Sequence, residues 1–194
     1  MYLCNRIPSD ENEQNERIMS EMTEHPLTMF THCPVCGSER WTVNNWKSKR
    51  CEACGFVFYS NPSAATAAFV VRGDRLLVVR RGKEPARGTM DLPGGFVDHG
   101  ETAEAGMARE LLEETGLRAQ GMAYLFSLPN IYAYSGMQIH TLDLFFRVDV
   151  GADEQAVAAD DAASLAWIPL AEVRPELFGL QSVRRGVERF LSMI

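Results

Sequence analysis

A chain of 194 residues, 46% of them apolar, can hold one well-buried domain of about 120–140 residues plus a small module whose own core is thin. Its formal net charge of −7 argues against tight, nonspecific binding of nucleic acid by the surface as a whole, and no run of about 20 apolar residues is present to span a membrane.

Residues 1–31 read as a poorly ordered arm or a marginal helix, because positions 1–24 carry six acids against two basic side chains and few apolar anchors. The arm lacks the apolar run and small-residue cleavage site of a secretory signal, which points to a cytoplasmic, reducing location. Two cysteine pairs follow, "CPVCG" at 33–37 and "CEACG" at 51–55, with fourteen residues between them. Thiolates three positions apart can share one tetrahedral Zn²⁺, and a glycine after each pair permits the tight turn. Residues 32–60 are therefore expected to form a ribbon closed on a structural zinc by Cys33, Cys36, Cys51 and Cys54. The competing reading, two disulfides, needs an oxidising compartment. Cys4 is left over as a free thiol. The ribbon holds four basic residues against two acids, interspersed with Trp41, Trp46, Phe56, Phe58 and Tyr59. Such aromatics either build a mini-core or stack on single-stranded nucleic acid, and so small a module favours the mini-core.

After the linker "SNPSA", strand-like alternation begins. "ATAAFVVR" and "RLLVVRR" flank Gly73-Asp74 and read as a β-hairpin. "LPGGFVDHGET", residues 92–102, reads as a folded loop in which Gly94 and Gly95 let another group approach the backbone, and Thr102 is the expected helix N-cap. The helix carries "RELLEETG" at 109–116. At 3.6 residues per turn, Glu110, Glu113 and Glu114 share one arc, facing away from an apolar stripe of Ala105, Ala108, Leu111, Leu112 and Thr115. Alone, that acidic arc is a solvent face. With a glycine loop folded against it, it offers the hard oxygen ligands that Mg²⁺ or Mn²⁺ takes. "AYLFSLPNIYAY" and "IHTLDLFFRVDV" are two further strands, "LAWIP" a short one, and Val183–Met193 a closing amphipathic helix. Strands on both sides of a central helix, with a second helix at the end, predict a mixed α/β layered domain.

From Gly95 to Leu117 the chain matches the Nudix box, G-x5-E-x7-R-E-U-x-E-E-x-G-U with U aliphatic, at every fixed position: Gly95, Glu101, Arg109, Glu110, Leu111, Glu113, Glu114, Gly116 and Leu117. The chain thus resembles the Nudix hydrolases. The resemblance implies an α/β/α sandwich with a mixed sheet over residues 64–194. It also implies cleavage, by water and a divalent metal, of a nucleoside diphosphate linked to another moiety X. By the same resemblance Glu110, Glu113 and Glu114 hold the Mg²⁺ or Mn²⁺, one of them also orienting or deprotonating the water. The carbonyl of Gly95 adds a ligand, and Arg109 braces a carboxylate. Glu101 is either an outer ligand or a helix-start acid favoured by the dipole. Many relatives recruit one more acid from a later loop, for which Asp153, Glu154, Asp160 and Asp161 are the candidates.

Ahead of the glycine loop, Arg80, Arg81, Lys83 and Arg87 are candidates to grip a phosphate. Pro129, Tyr132 and Tyr134 sit where ADP-ribose pyrophosphatases of the family shape an adenosine site. A zinc ribbon preceding the domain is similar to the arrangement in the NADH pyrophosphatase group, which cuts NAD(H) and acts on NAD-capped RNA. Where that group carries S-Q-P-W-P-F-P-x-S, this chain has "FSLPNIYAYSG" at 126–136, and Met90 stands where many relatives have tryptophan. The expected substrate is ADP-ribose-like or a dinucleotide such as NADH, giving a nucleoside monophosphate and phosphorylated X. The alternatives are an NAD-capped RNA hydrolase or RNA-binding adaptor using the ribbon, and a noncatalytic nucleotide sensor. Homodimerisation is a further expectation of the resemblance.

Overall fold

Residues 25–160 and 162–194 are described by the computed structural model, so the expectations for residues 1–24, including Cys4, and for Asp161 lie outside the described residues. The chain divides between Asn61 and Pro62 into two units.

The first unit is built on a three-stranded antiparallel sheet, β1 (Trp41–Asn45), β2 (Ser48–Cys51) and β3 (Val57–Tyr59), in that order. Asn45 makes the first turn, its side-chain oxygen accepting from the Lys47 N–H at 3.1 Å and the Ser48 hydroxyl at 2.8 Å. The core is small: Trp41 stacks on Phe56 with ring centroids 6.2 Å apart, beside the buried Cys33 and Cys51. Trp46, Phe58 and Tyr59 are exposed, so the expected mini-core takes only two of the five aromatics.

The second unit begins with the expected hairpin, β4 (Ser63–Arg72) and β5 (Arg75–Arg81), turning at Gly73 with φ +60°. The two strands pair only near the turn, Val71 with Leu76 and Arg72 with Arg75, and then splay apart. β4 continues in parallel register with β8 (Met137–Val150), whose other edge pairs antiparallel with β7 (Ala119–Tyr134). β5 continues with β6 (Met90–Asp91) and β9 (Ala162–Pro169). The result is the mixed sheet that the sequence predicts, order β6-β5-β4-β8-β7 with β9 paired to β5.

Helices cover both faces. Helix α1 (Ala103–Thr115) buries Met107 and Leu111 against Ala68, Val70, Leu77, Phe146 and Val148. Helix α2 (Gln181–Leu191), two residues earlier than the expected span, buries Val183, Val187 and Phe190 against Phe69, Phe126 and Phe145. Neighbours on β4 and β8 thus serve opposite layers, as in a strand buried on both faces. Phe69 and Phe190 stack at 4.1 Å, and a Cβ on Gly186 would lie 2.4 Å from the Phe145 ring, so α2 sits this close only with glycine there. Each fully buried large apolar side chain contributes about 1.5–3 kcal/mol.

Two features of the expected helix stripe need correction. Leu112 is exposed and Ala105 is too, while Met107 supplies the apolar contact in their place. The acidic arc does not simply face solvent either, since Glu114 is buried. The 100° step alone cannot tell which neighbours will cover a helix, and here the glycine loop covers the acids.

Candidate active site

The splayed β4–β5 hairpin leaves the first half of β4 without a partner on one edge, and the glycine loop fills that gap. Ala68 N–H donates to the Pro93 carbonyl, Thr66 N–H to the Gly95 carbonyl, and Val97 N–H to the Ala64 carbonyl, at 2.8, 2.8 and 3.0 Å. The fit requires bare backbone. A Cβ on Gly94, whose φ is +152°, would lie 2.0 Å from the Thr66 carbonyl oxygen. One on Gly95 would lie 2.5 Å from the Glu110 carboxyl carbon. Gly106 on α1 is less confined, its missing Cβ facing Glu101 at 3.2 Å and Val97 at 3.4 Å.

Helix α1 starts where expected, the Thr102 hydroxyl accepting from Ala105 N–H at 3.1 Å, and stops at Gly116 with φ +71°. Its acids face the loop. Glu114 accepts from Gly94 N–H at 3.0 Å. Arg109 is a hub: its guanidinium donates to Glu101 at 2.9 and 3.0 Å, to Glu110 at 2.8 Å, to Glu113 at 3.0 Å and to the Phe96 carbonyl at 3.0 Å. Such a planar fork fixes several carboxylates at once, which an ammonium could not do. Hydrogen bonds from Arg109 and the Asp98 N–H hold the Glu101 carboxyl below the usual range. Burial pushes Glu110 up, against the pull of Arg109 and aided by the charges of Glu113 and Asp160.

These groups open onto a cavity of about 490 Å³ that Gly94, Gly95, Arg109, Glu110, Glu113 and Glu114 line on one side. Of the later-loop acids, Asp160 lines it. The loop is tied to the end of α1, Val157 and Ala159 N–H donating to the Thr115 and Glu114 carbonyls at 2.8 and 3.0 Å. Glu154 is instead turned to the Arg118 N–H at 2.9 Å, and Asp153 does not line the cavity.

Strands β5, β6, β7 and β8 also contribute to the cavity wall. Arg81 lines it, paired with the buried Asp91 and 3.4 Å from the Tyr132 hydroxyl. Arg80, next to it, points elsewhere, donating to the Gly88 carbonyl at 2.6 Å, and does not line the cavity, nor do Arg87, His99 and His140; Lys83 does. Tyr132 meets Phe96 edge-on at 5.8 Å and lies parallel to Tyr134 at 6.5 Å; both tyrosines line the cavity.

Sequence reasoning missed Asp91, Asn130, Asp143 and Ser182. Asp143 is buried, accepting from the Thr141 hydroxyl at 2.6 Å and from the Ser182 hydroxyl. Burial pushes its carboxyl up, more than Ser182, Thr141 and Asn130 pull it down. The signal was available: in "IHTLDLFF" strand alternation puts Asp143 on the same face as the core residue Phe145.

In the first unit, Cys33, Cys36, Cys51 and Cys54 are free, and their four sulfurs lie within 4.8 Å of one another. Cys33–Cys54 and Cys36–Cys51 sulfurs are 3.7 and 3.6 Å apart, far beyond a covalent S–S bond of about 2.05 Å, so the disulfide reading fails. Burial opposes ionisation of Cys51, yet the backbone N–H groups of Cys54 and Ala53, with the Cys36 and Cys54 thiols, bring it down to about 6. Four cysteine sulfurs gathered this closely are a donor set suited to a soft, tetrahedral cation.

The family model described as the NUDIX domain matches residues 61–189. Over 134 residues, 68% of this chain, the sequence is 32% identical to an ADP-ribose pyrophosphatase of Methanocaldococcus jannaschii, covering 76% of that protein. Over 148 residues, 75% of this chain, it is 30% identical to an NAD-capped RNA hydrolase of Deinococcus radiodurans, of which it spans only 50%. The fold is similar to that of a NUDIX hydrolase from Nitrosomonas europaea, with a TM-score of 0.66 and 20% identity over 84% of this chain and 91% of the other. With the acids, their arginine hub and the glycine loop assembled as the box requires, the chain belongs to the NUDIX family.

Proposed function

We propose that the protein hydrolyses the pyrophosphate bond of a nucleoside diphosphate linked to X, ADP-ribose-like or a dinucleotide, giving a nucleoside monophosphate and phosphorylated X. The observation that carries this is the gathering of Glu110, Glu113 and Glu114, with Asp160 from a later loop, around one cavity. That donor set fits Mg²⁺ or Mn²⁺, being all hard oxygen; the Gly95 carbonyl, which accepts from the Thr66 N–H at 2.8 Å and from the Thr66 hydroxyl at 3.4 Å, joins it by releasing the longer, weaker bond. Bound there, divalent cations supply charge neutralisation of the diphosphate and acidification of the attacking water. Arg109 keeps the carboxylates in place, with Glu101 as its anchor, and Asp160 adds a fourth acid as base or ligand. The P–O–P bridge takes up one water; the bridging oxygen leaves with one phosphate and the water oxygen stays on the other.

The cysteine cluster is assigned to structural Zn²⁺, since four sulfur ligands leave no position for water. Free cysteines fit a reducing cytoplasm. ADP-ribose is favoured by the M. jannaschii relative. A second reading, action on NAD-capped RNA, is favoured by the exposed Trp46, Phe58 and Tyr59 of the ribbon and by the D. radiodurans relative. Retention of single-stranded RNA on a filter, with and without zinc, separates the two. The sensor reading loses ground because every box acid is present. A homodimer is testable by light scattering.

The deciding experiment is Glu114→Gln. Turnover of ADP-ribose and NADH is expected to fall by orders of magnitude with the melting profile preserved, and chelation to abolish wild-type activity until Mg²⁺ is restored. Unchanged turnover in the variant removes the assigned role.

A further inference from the structure

Asp160 reaches the cavity from the connection between β8 and β9, which runs well beyond the usual length of a loop and so needs something to fix it. Its own φ is +52°, in the left-handed region that aspartate enters more readily than most residues yet keeps only where the flanking chain holds it. The amides of Val157 and Ala159, bonded to the end of α1, are one hold. The other is Arg72, the last residue of β4, which does not line the cavity. Its guanidinium donates from Nη2 to the Gly151 carbonyl at 2.6 Å and from Nη1 to the Glu154 carbonyl at 3.0 Å. These are the two ends of a turn that Glu154 N–H closes on the Gly151 carbonyl at 3.2 Å. The same planar group lies over the Trp167 ring, 4.7 Å from its centroid.

Trp167 belongs to β9, where it pairs with Leu77. One side chain therefore grips the chain both before and after Asp160, through two carbonyls on the way in and through a ring face on the strand that follows. Between the fork and the tie to α1 stand only Gln155 and Ala156, and Ala156 packs on the same buried cluster as Trp167. Slack let in at 151–154 has almost no chain in which to be absorbed before it reaches Val157. We infer that Arg72 is a positioning residue for the candidate active site: by pinning the entry of segment 151–160 to β9, it keeps Asp160 at a cavity that it does not itself touch. Arginine suits this task, having two donors at fixed separation on a plate that lies flat on an indole, whereas an ammonium keeps only the charge. The catalytic part of the inference rests on the hydrolase reading proposed above; the placement of the segment does not.

Hydrogen exchange and kinetics on the full chain test it together. In Arg72→Ala the amides of Val157 and Ala159 are expected to exchange about tenfold or more faster, while those of Phe145 and Phe146 inside β8 change by less than about twofold. For ADP-ribose or NADH, kcat is expected to fall about tenfold with KM within about twofold, as for a group that acts on the reacting centre without touching the substrate. In an Asp160→Asn background the same change should lower kcat by less than about twofold, because the acid it places is gone. Arg72→Lys should fall between wild type and Arg72→Ala in both readouts, and it carries the test if the alanine variant does not fold. Arg75→Ala removes the neighbouring arginine, which donates to the Trp167 carbonyl at 3.3 Å, and should leave both readouts within about twofold. Unchanged protection of Val157 and Ala159 in Arg72→Ala, or a loss of kcat as large in Asp160→Asn as in wild type, overturns the inference and leaves the hydrolase reading standing. If the wild type hydrolyses neither substrate, the hydrolase reading falls, and exchange at Val157 and Ala159 alone decides whether Arg72 places the segment.

Discussion

Adding one methyl group to each of two adjacent glycines should break this protein in two different ways. In Gly94→Ala the new Cβ meets the Thr66 carbonyl oxygen at 2.0 Å and the Ala67 Cα at 2.9 Å, both backbone, so nothing can swing aside. The loop must retreat from β4 by about 1 Å, loosening the bonds from Ala68 N–H to Pro93 and from Thr66 N–H to Gly95. Overpacking costs about 1–3 kcal/mol and two weakened hydrogen bonds about 0.5–1.5 kcal/mol each, so the total is roughly 2–6 kcal/mol. At about 4 °C per kcal/mol for a unit of this size, the midpoint should drop by roughly 8–24 °C. In Gly95→Ala the three atoms nearest the Cβ are those of the Glu110 carboxyl group, at 2.5–2.6 Å, the far end of a flexible side chain. The carboxylate can rotate away, giving up its 2.8 Å contact with Arg109, and the midpoint should fall by no more than about 4 °C. Activity should fall at least about a hundredfold, since a displaced ligand spoils the geometry of the reacting centre. Thermal melts and Mg²⁺-dependent turnover of ADP-ribose, on both variants, read the contrast. A Gly94→Ala protein that melts like wild type, or a Gly95→Ala protein with wild-type turnover, refutes the loop-against-strand account.

Asp160→Asn should reduce turnover about tenfold or more, whereas Asp153→Asn, away from the cavity, should leave it within about twofold; equal effects would remove Asp160 from the site. Stripping zinc, or Cys51→Ser, should unfold residues 32–60, seen as a loss of near-ultraviolet signal from Trp41, because the aromatic core there is only Trp41 and Phe56. Asp143 sets a pH signature. Its pKa is raised by burial, so folding favours the protonated acid. The stabilisation it contributes is whole below its ordinary value of 3.8 and is lost as pH rises through the folded value. Asp143→Asn should therefore be at least as stable as wild type at pH 7, with that advantage shrinking as pH falls toward 4 in melts of both proteins. An advantage that grows on acidification would reverse the assignment.

How much of this was legible in the chain differs element by element. Helix α1 and its cap at Thr102 were legible because capping chemistry is local, and its stop at Gly116, not among the expectations, follows the same local rule. The hairpin at Gly73 and the long strands followed from alternation. The splay of β4 from β5 did not, since it arises when the glycine loop outcompetes β5 for the edge of β4. For the same reason the burial of Glu114 could not be read from helical spacing. Arg80 and Arg81 look interchangeable in sequence, yet opposite faces of β5 send one to the Gly88 carbonyl and the other to Asp91 in the cavity. Choosing among the loop acids needed the tertiary tie of 157 and 159 to the end of α1.

That tie rests on two main-chain amides, which are blind to the side chains that accompany them. Some side chains of the segment from 152 to 159 still count, since Glu154 accepts from the Arg118 N–H at 2.9 Å and Ala156 packs against the core beneath α1. Proline alone is forbidden at 157 and 159, having no amide hydrogen to offer. Insertion of a single residue between Ala159 and Asp160 would carry the acid away from that tie and break the 3.1 Å bond from the Ala162 N–H to the Ala159 carbonyl, where β9 begins.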